Sequence, residues 1–266
     1  VTIITSIKII FYGIFSGSAQ AVFRIVGGTP TTIDQYPCIV QVENRAVSSG
    51  IWGQSCAAVI LTSTFVLSAA QCFHGINYEP NNRRIRAGST YRNTGGELHY
   101  VQVEFNHPTY GMNGNNGDIS VVRLRDPLVY SPEVAQATII SQGVIFPDNV
   151  AVVHAGWGAT QGGSASSELL ESTVYTINND LCRERYASLS IPEVVTGNMI
   201  CAGLLDVGGR DACQGDYGGP LYYIDPVIGN LVIGIVSWGY GCGDETYPGV
   251  STAISPYTDW IIATAV

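Results

Sequence analysis

Much of the chain is written as short apolar or alternating runs, at 38–43, 57–61, 85–87, 100–105, 119–124, 150–155, 172–177, 219–224 and 231–238, with turn residues between them. Runs of this length are too short for most helices, and their valines, isoleucines and tyrosines suit a pleated surface. Many strands between turn signals restrict the fold to an all-β barrel or sandwich. Asp225-Pro226 and Gly229-Asn230 mark turns just ahead of the last long run. Two helices are expected. Asn178 or Asn179 can cap a short one over 181–186. At the C-terminus Ser255 is the candidate cap, Pro256 suits the first helical position, and Tyr257, Trp260, Ile261 and Ala265 share one face that packs on the body.

With 266 residues the chain can hold one large all-β unit or two ordinary domains, and no internal repeat or linker divides it. The net charge of −9 disfavours nucleic acid as a partner. Lys8 and Arg24 are the sole charges among the first 24 residues, so from Ile25 onward ten arginines face 21 acids and there is no lysine. Arginine stays protonated well above about pH 10, where lysine begins to neutralise. The usage fits a strongly alkaline working fluid, with plain drift in residue usage as the equal alternative.

Lys8, the apolar run 9–15 and the small-residue pattern Ala19-Gln20-Ala21 read as a signal peptide over 1–21, followed by a short propeptide over 22–24. The leader begins at Val1 rather than Met and is expected to be incomplete. No later segment is apolar for long enough to cross a membrane, and membrane association is not expected. Seven cysteines behind a secretory leader imply disulfides in an extracellular protein, with one thiol left over. Spacing alone leaves the pairing open.

Several stretches stand in a telling order: Arg24 before Ile25-Val26-Gly27-Gly28, then Ala69-Ala70-Gln71-Cys72, Gly117-Asp118-Ile119, Asp211 to Pro220 as DACQGDYGGP, and Ser237-Trp238-Gly239. Together they resemble the trypsin-like serine proteases over nearly all of 25–265. The segments 68–70, 86–90, 154–158 and 206–209 look most like the digestive trypsins of insect larvae, lepidopteran ones especially. The resemblance implies two antiparallel six-stranded β-barrels, about 25–126 and 149–252, with the site between them and a C-terminal helix over 255–265. The whole domain is then 25–266. It also implies the disulfides Cys56–Cys72, Cys182–Cys201 and Cys213–Cys242, which leave Cys38 over. Cys38 falls on one strand face with Val40 and Val42 and is read as a buried free thiol, a disulfide-linked dimer being the alternative to a monomer.

By the same resemblance, cleavage after Arg24 would free the amine of Ile25 to pair with Asp216, ordering Gly215 and residue 217 as an oxyanion hole. Asp211 would sit at the base of a specificity pocket walled by Gly239 and Gly249, with Ser237, Trp238 and Gly239 along an extended substrate. Two letters depart from the family pattern. Gln71 stands where the family has its histidine, and Tyr217 stands where it has its serine.

An amide does not titrate in the useful range, so Gln71 cannot take a proton as a general base. Asp118, the matching acid, is left to hydrogen-bond Gln71 or nearby backbone. A tyrosine at 217 reaches farther than serine and is expected to lie across the cleft. His74, His99, His107 and His154 carry no suggestive neighbours and are read as structural or surface residues. The chain is therefore expected to be a pseudo-enzyme, binding basic peptides or protease inhibitors with exposed Arg or Lys, in a setting such as an alkaline gut lumen. The alternatives are an active endopeptidase that cleaves after Arg or Lys in digestion, and a structural or storage protein without a ligand. No metal-ligand spacing, phosphate loop or dinucleotide fingerprint is present, and no cofactor is expected.

Overall fold

A computed structural model describes residues 27–76, 78–160 and 163–266. The expected signal peptide, the propeptide, Arg24 and Ile25 lie outside the described residues. Among the described residues fourteen strands are formed. They are β1 (Thr29–Pro30), β2 (Ile39–Arg45), β3 (Trp52–Ile60), β4 (Phe65–Ser68), β5 (Arg83–Ala87), β6 (Glu97–Asn106), β7 (Ser120–Leu124), β8 (Thr138–Ile139), β9 (Ala151–Gly156), β10 (Leu170–Ile177), β11 (Met199–Gly203), β12 (Pro220–Asp225), β13 (Gly229–Trp238) and β14 (Gly249–Ala253).

The strands close into two antiparallel six-stranded barrels. The first follows the order β2-β3-β4-β7-β6-β5 and closes through β2 against β5. The second follows β10-β11-β14-β13-β12-β9 and closes through β9 against β10, with β1 and β8 added at its margins. Closure leaves no sheet edge within either ring, which suits a chain with so many unpaired-strand hazards.

One apolar cluster runs through both barrels, anchored by Ile39, Ile60, Leu67 and Ile85 in the first and Trp157, Leu169 and Tyr222 in the second. Each fully buried side chain of this size contributes about 1.5–3 kcal/mol. A smaller cluster of Tyr186, Val195, Met199 and Val250 surrounds the Cys182–Cys201 disulfide under α1 (Asn179–Ala187). All three implied disulfides are formed. Cys38 is free and buried, with Sγ 3.0 Å from the Tyr222 hydroxyl.

Five strands fall outside the expected runs. β1 and β8 span two residues each, and β4, β11 and β14 span four or five, too few to show a periodicity, so pairing with their neighbours is what makes them strands. The first helix starts as expected, with the Asn178 side chain accepting from the N–H groups of Asp180 and Leu181. The C-terminal one differs. Ser255 opens a 3₁₀ turn, Ser255–Tyr257, instead of capping it, and the helix α2 (Thr258–Thr264) follows without a side-chain cap. Burial of Ser255, Tyr257, Thr258 and Ile261 fixes this end, and the Thr258 hydroxyl donates to Ile140 O at 2.8 Å. No helix among the described residues is long and apolar enough to cross a membrane.

Candidate active site

The cleft between the barrels gathers residues from both. Gln71 sits in the 3₁₀ turn Ala70–Phe73 just after β4, and Asp118 just before β7. From the second barrel come the loop 211–219 between β11 and β12, the end of β13 and the start of β14. Ala57 N–H donates to Tyr217 O at 2.8 Å, which ties the loop to the first barrel. Gly218 makes that approach feasible. It has φ +79°, and a Cβ there would run into the Ser68 hydroxyl and the Ala57 carbonyl.

Gln71 and Asp118 are joined directly. The Gln71 side-chain amide donates to Asp118 Oδ2 and to Ser237 O, each at 2.6 Å, and the Gln71 backbone N–H donates to Asp118 Oδ1 at 2.9 Å. The Ser237 hydroxyl donates to the same Oδ2 at 2.6 Å. Burial raises the Asp118 carboxyl above the usual range, and the bonds from Ser237 and Gln71 oppose that rise. With both amide protons engaged, Gln71 presents Oε1 as an acceptor and has no proton to exchange.

Tyr217 is half-buried and packs on the main apolar cluster. Burial raises its phenol above the ordinary value, and the nearby carboxylates of Asp216 and Asp211 add to the rise, so the hydroxyl stays protonated. Among the described residues neither Gly215 N–H nor Tyr217 N–H donates to a protein acceptor, although the neighbouring N–H groups of Asp216, Gly218 and Gly219 all do. Two free donors one residue apart are suited to a developing oxyanion.

Asp216 is buried in a tight niche. Its Oδ1 accepts from Gly158 N–H at 2.8 Å and its Oδ2 from Cys213 N–H at 3.0 Å. A Cβ at Gly156 or Gly158 would collide with this carboxylate, so small residues there are a steric requirement. Burial lifts its pKa to about 6.

Asp211 is also buried, with Oδ2 accepting from Gly243 N–H at 3.1 Å and no ion pair to any described residue. Burial lifts its pKa to about 7. A Cβ on Gly249 would strike the Asp211 carboxylate, whereas one on Gly239 would meet only ordinary contacts. Asp211, Tyr217, Trp238, Gly239 and Gly249 line one cavity of about 10 Å³. That is roughly the volume one water requires. Tyr217 thus borders the same space as Asp211.

Three contributors were not singled out by the sequence reading. Gln54 donates from Nε2 to Gly215 O at 2.6 Å and accepts from Arg92 Nε at 2.7 Å, so it steadies the 211–219 loop from β3. Ser68 bonds Ala57 O at 2.7 Å beside Gly218. His154, read as an ordinary residue, lines the Asp211 cavity. A polar residue inside an apolar run was the available signal for His154, whereas Gln54, between Gly53 and Ser55, carried none. His74 packs against Tyr110, His99 faces Asp126 O, and His107 lies against Tyr257 and Trp260, none of them beside Gln71. No cluster among the described residues could hold a metal ion.

The sequence model of the trypsin family matches residues 25–261. The chain belongs to the trypsin family. It is 41% identical over 239 residues to "Trypsin, alkaline C" of Manduca sexta, covering 90% of each chain. It is likewise 41% identical to "Trypsin CFT-1" of Choristoneura fumiferana, covering 91% of each. "Achelase-1" of Lonomia achelous shares 37% identity over 80% of this chain and 95% of its own.

These relatives correct the expectation that the chain is not an enzyme. Its family is named for a peptidase, and relatives alike over nine-tenths of their length carry the name trypsin. The replacements at Gln71 and Tyr217 therefore stand inside an enzyme family and do not remove the chain from it.

Proposed function

We propose that this trypsin-family chain acts on protein or peptide segments that present an arginine or lysine, in the fluid of an alkaline gut. The observation that carries the reading is Asp211, a buried carboxylate with no ion pair among the described residues, at the base of a pocket whose wall at Gly249 has room for nothing larger than glycine. A cation is what such a carboxylate lacks. The absence of lysine beyond Ile25 supports the alkaline setting, and three disulfides fit an extracellular one.

Cleavage after the bound residue is favoured by the relatives named trypsin and by the free N–H pair of Gly215 and Tyr217. Binding and an oxyanion hole alone leave roughly 10³–10⁴-fold acceleration over water when triad members are absent. Protein inhibitors that expose Arg or Lys offer the same chemistry to the pocket.

The test pairs binding with turnover. Benzamidine should bind the full chain and fail to bind Asp211→Asn. No binding by either wild type or Tyr217→Ser would overturn the pocket reading. On an arginyl peptide substrate, the double change Gln71→His and Tyr217→Ser should raise kcat/KM by at least about 10³-fold. Equal rates would show that hydrolysis runs on Gln71 and Tyr217 as they stand.

A further inference from the structure

His154 lies on β9, paired with Ser172 of β10 and Leu221 of β12, so it enters the second barrel from its middle. Only 3% of it is exposed, and neither ring nitrogen has a hydrogen-bond partner among the described residues. A buried imidazole without partners is costly, since its polar atoms have left water for nothing. Yet the ring is not walled in by apolar neighbours alone. It borders the cavity that also holds Asp211, Tyr217 and Ser251. Burial pushes its pKa down to about 4, so at ordinary pH it offers one N–H and one lone pair.

We infer that His154 is a ligand-recognising residue of the Asp211 pocket, and that the two together select a planar guanidinium or amidinium over an ammonium. The inference rests on the pocket reading above. Asp211 spends Oδ2 on Gly243 N–H and keeps Oδ1 beside Gly249. His154 contributes a second, separate acceptor on the same cavity. A guanidinium spreads five N–H donors over a rigid planar fork and can reach two acceptors on different walls at once. An ammonium also carries three donors, but on one strongly hydrated atom, so engaging both acceptors costs it more hydration than it costs the pre-organised, weakly hydrated fork. The difference between the two ligands is then one of desolvation and fit at two buried polar groups, which is where binding sites discriminate most. Because the cavity spans about 10 Å³, its lining must open before either ligand is admitted.

The experiment uses n-butylguanidine and n-pentylamine as probes on the full chain, with dissociation constants from calorimetry and the His154 imidazole followed by NMR. The wild type should prefer the guanidine by at least about tenfold, and the His154 resonances should move on its addition. His154→Leu should bring the preference down to within about twofold while still binding both cations, and His154→Gln, which restores an acceptor, should recover most of it. An unchanged preference in His154→Leu, or His154 resonances that stay in place at saturating guanidine, overturns the inference even if both probes bind. Should neither probe bind wild type or Tyr217→Ser, the pocket reading itself falls and takes this inference with it. Should His154→Leu fail to fold, the NMR measurement on the wild type decides alone.

Discussion

Gln71 grips both oxygens of the Asp118 carboxylate, Oδ2 with its side-chain amide at 2.6 Å and Oδ1 with its backbone N–H at 2.9 Å. A second amide proton reaches Ser237 O, so one side chain from the first barrel spans to the second. Removing it in Gln71→Ala leaves the buried Asp118 one donor short and frees the Ser237 carbonyl. The expected cost is about 1.5–3 kcal/mol, since one of the lost bonds is to a charged group. Thermal unfolding should show a fall of roughly 2–4 °C per kcal/mol for a chain of this size. A melting temperature within a degree of wild type would show that the bridge carries no stability.

Asp211 sets a pH dependence whose sign follows from its raised pKa of about 7 against an ordinary value of 3.8. The folded chain holds this proton more tightly than the unfolded one. The stability that goes with it is present at low pH and is lost as pH rises from about 4 to 7. Asp211→Asn should therefore match wild type near pH 4 and melt higher at pH 8, while losing affinity for cations. His154 acts in the opposite sense. Its pKa is lowered to about 4, so it costs stability as pH falls from 6.5 towards 4, and His154→Leu should relieve that acid sensitivity. Calorimetry from pH 4 to 8 on the three proteins checks both signs.

Gly249 offers a steric test of the pocket. A Cβ at this position would occupy space held by the Asp211 carboxylate. Gly249→Ala should displace Asp211, weaken benzamidine binding by at least about tenfold, and destabilise by about 1–3 kcal/mol through overpacking. Gly239→Ala, which meets nothing closer than 3.6 Å, should fold normally. Equal benzamidine affinity in Gly249→Ala and wild type would separate Asp211 from the pocket's binding function.

Cys38 should be silent in the native protein. Its thiol is buried against the Tyr222 hydroxyl, and burial pushes its pKa up to about 11, away from the reactive thiolate. A thiol reagent should label nothing in the folded chain and one group per chain in denaturant without reductant. Rapid native labelling, or a dimer that reductant dissolves, would place Cys38 at the surface.

Much of the barrel architecture was legible because alternating runs such as 119–124 and 172–177 carry their strand signal locally. β4, β11 and β14 were not, since Phe65–Ser68 and Gly249–Ala253 are strands only by virtue of the partners that hydrogen-bond to both their sides. Ser255 looked like a cap because serine before proline usually is one. Burial of that corner against Ile140 and its neighbours turned the same residues into a 3₁₀ turn instead. His154 was read as a structural or surface residue for a related reason: nothing near it in sequence shows which cavity it borders.

The sequence by itself determined membership of a disulfide-linked β class, the positions that answer to the trypsin motifs, and the presence of Gln71 and Tyr217 among them. These are properties of residue identity and short spacing, and no folding is needed to read them. Only the tertiary structure decided that Gln71 bridges Asp118 and Ser237, that Tyr217 and His154 share a cavity with Asp211, and that Gly156 and Gly158 make room for Asp216. Those relations join residues far apart in the chain. They exist because two closed barrels must bury their faces and satisfy each polar group that burial takes from water.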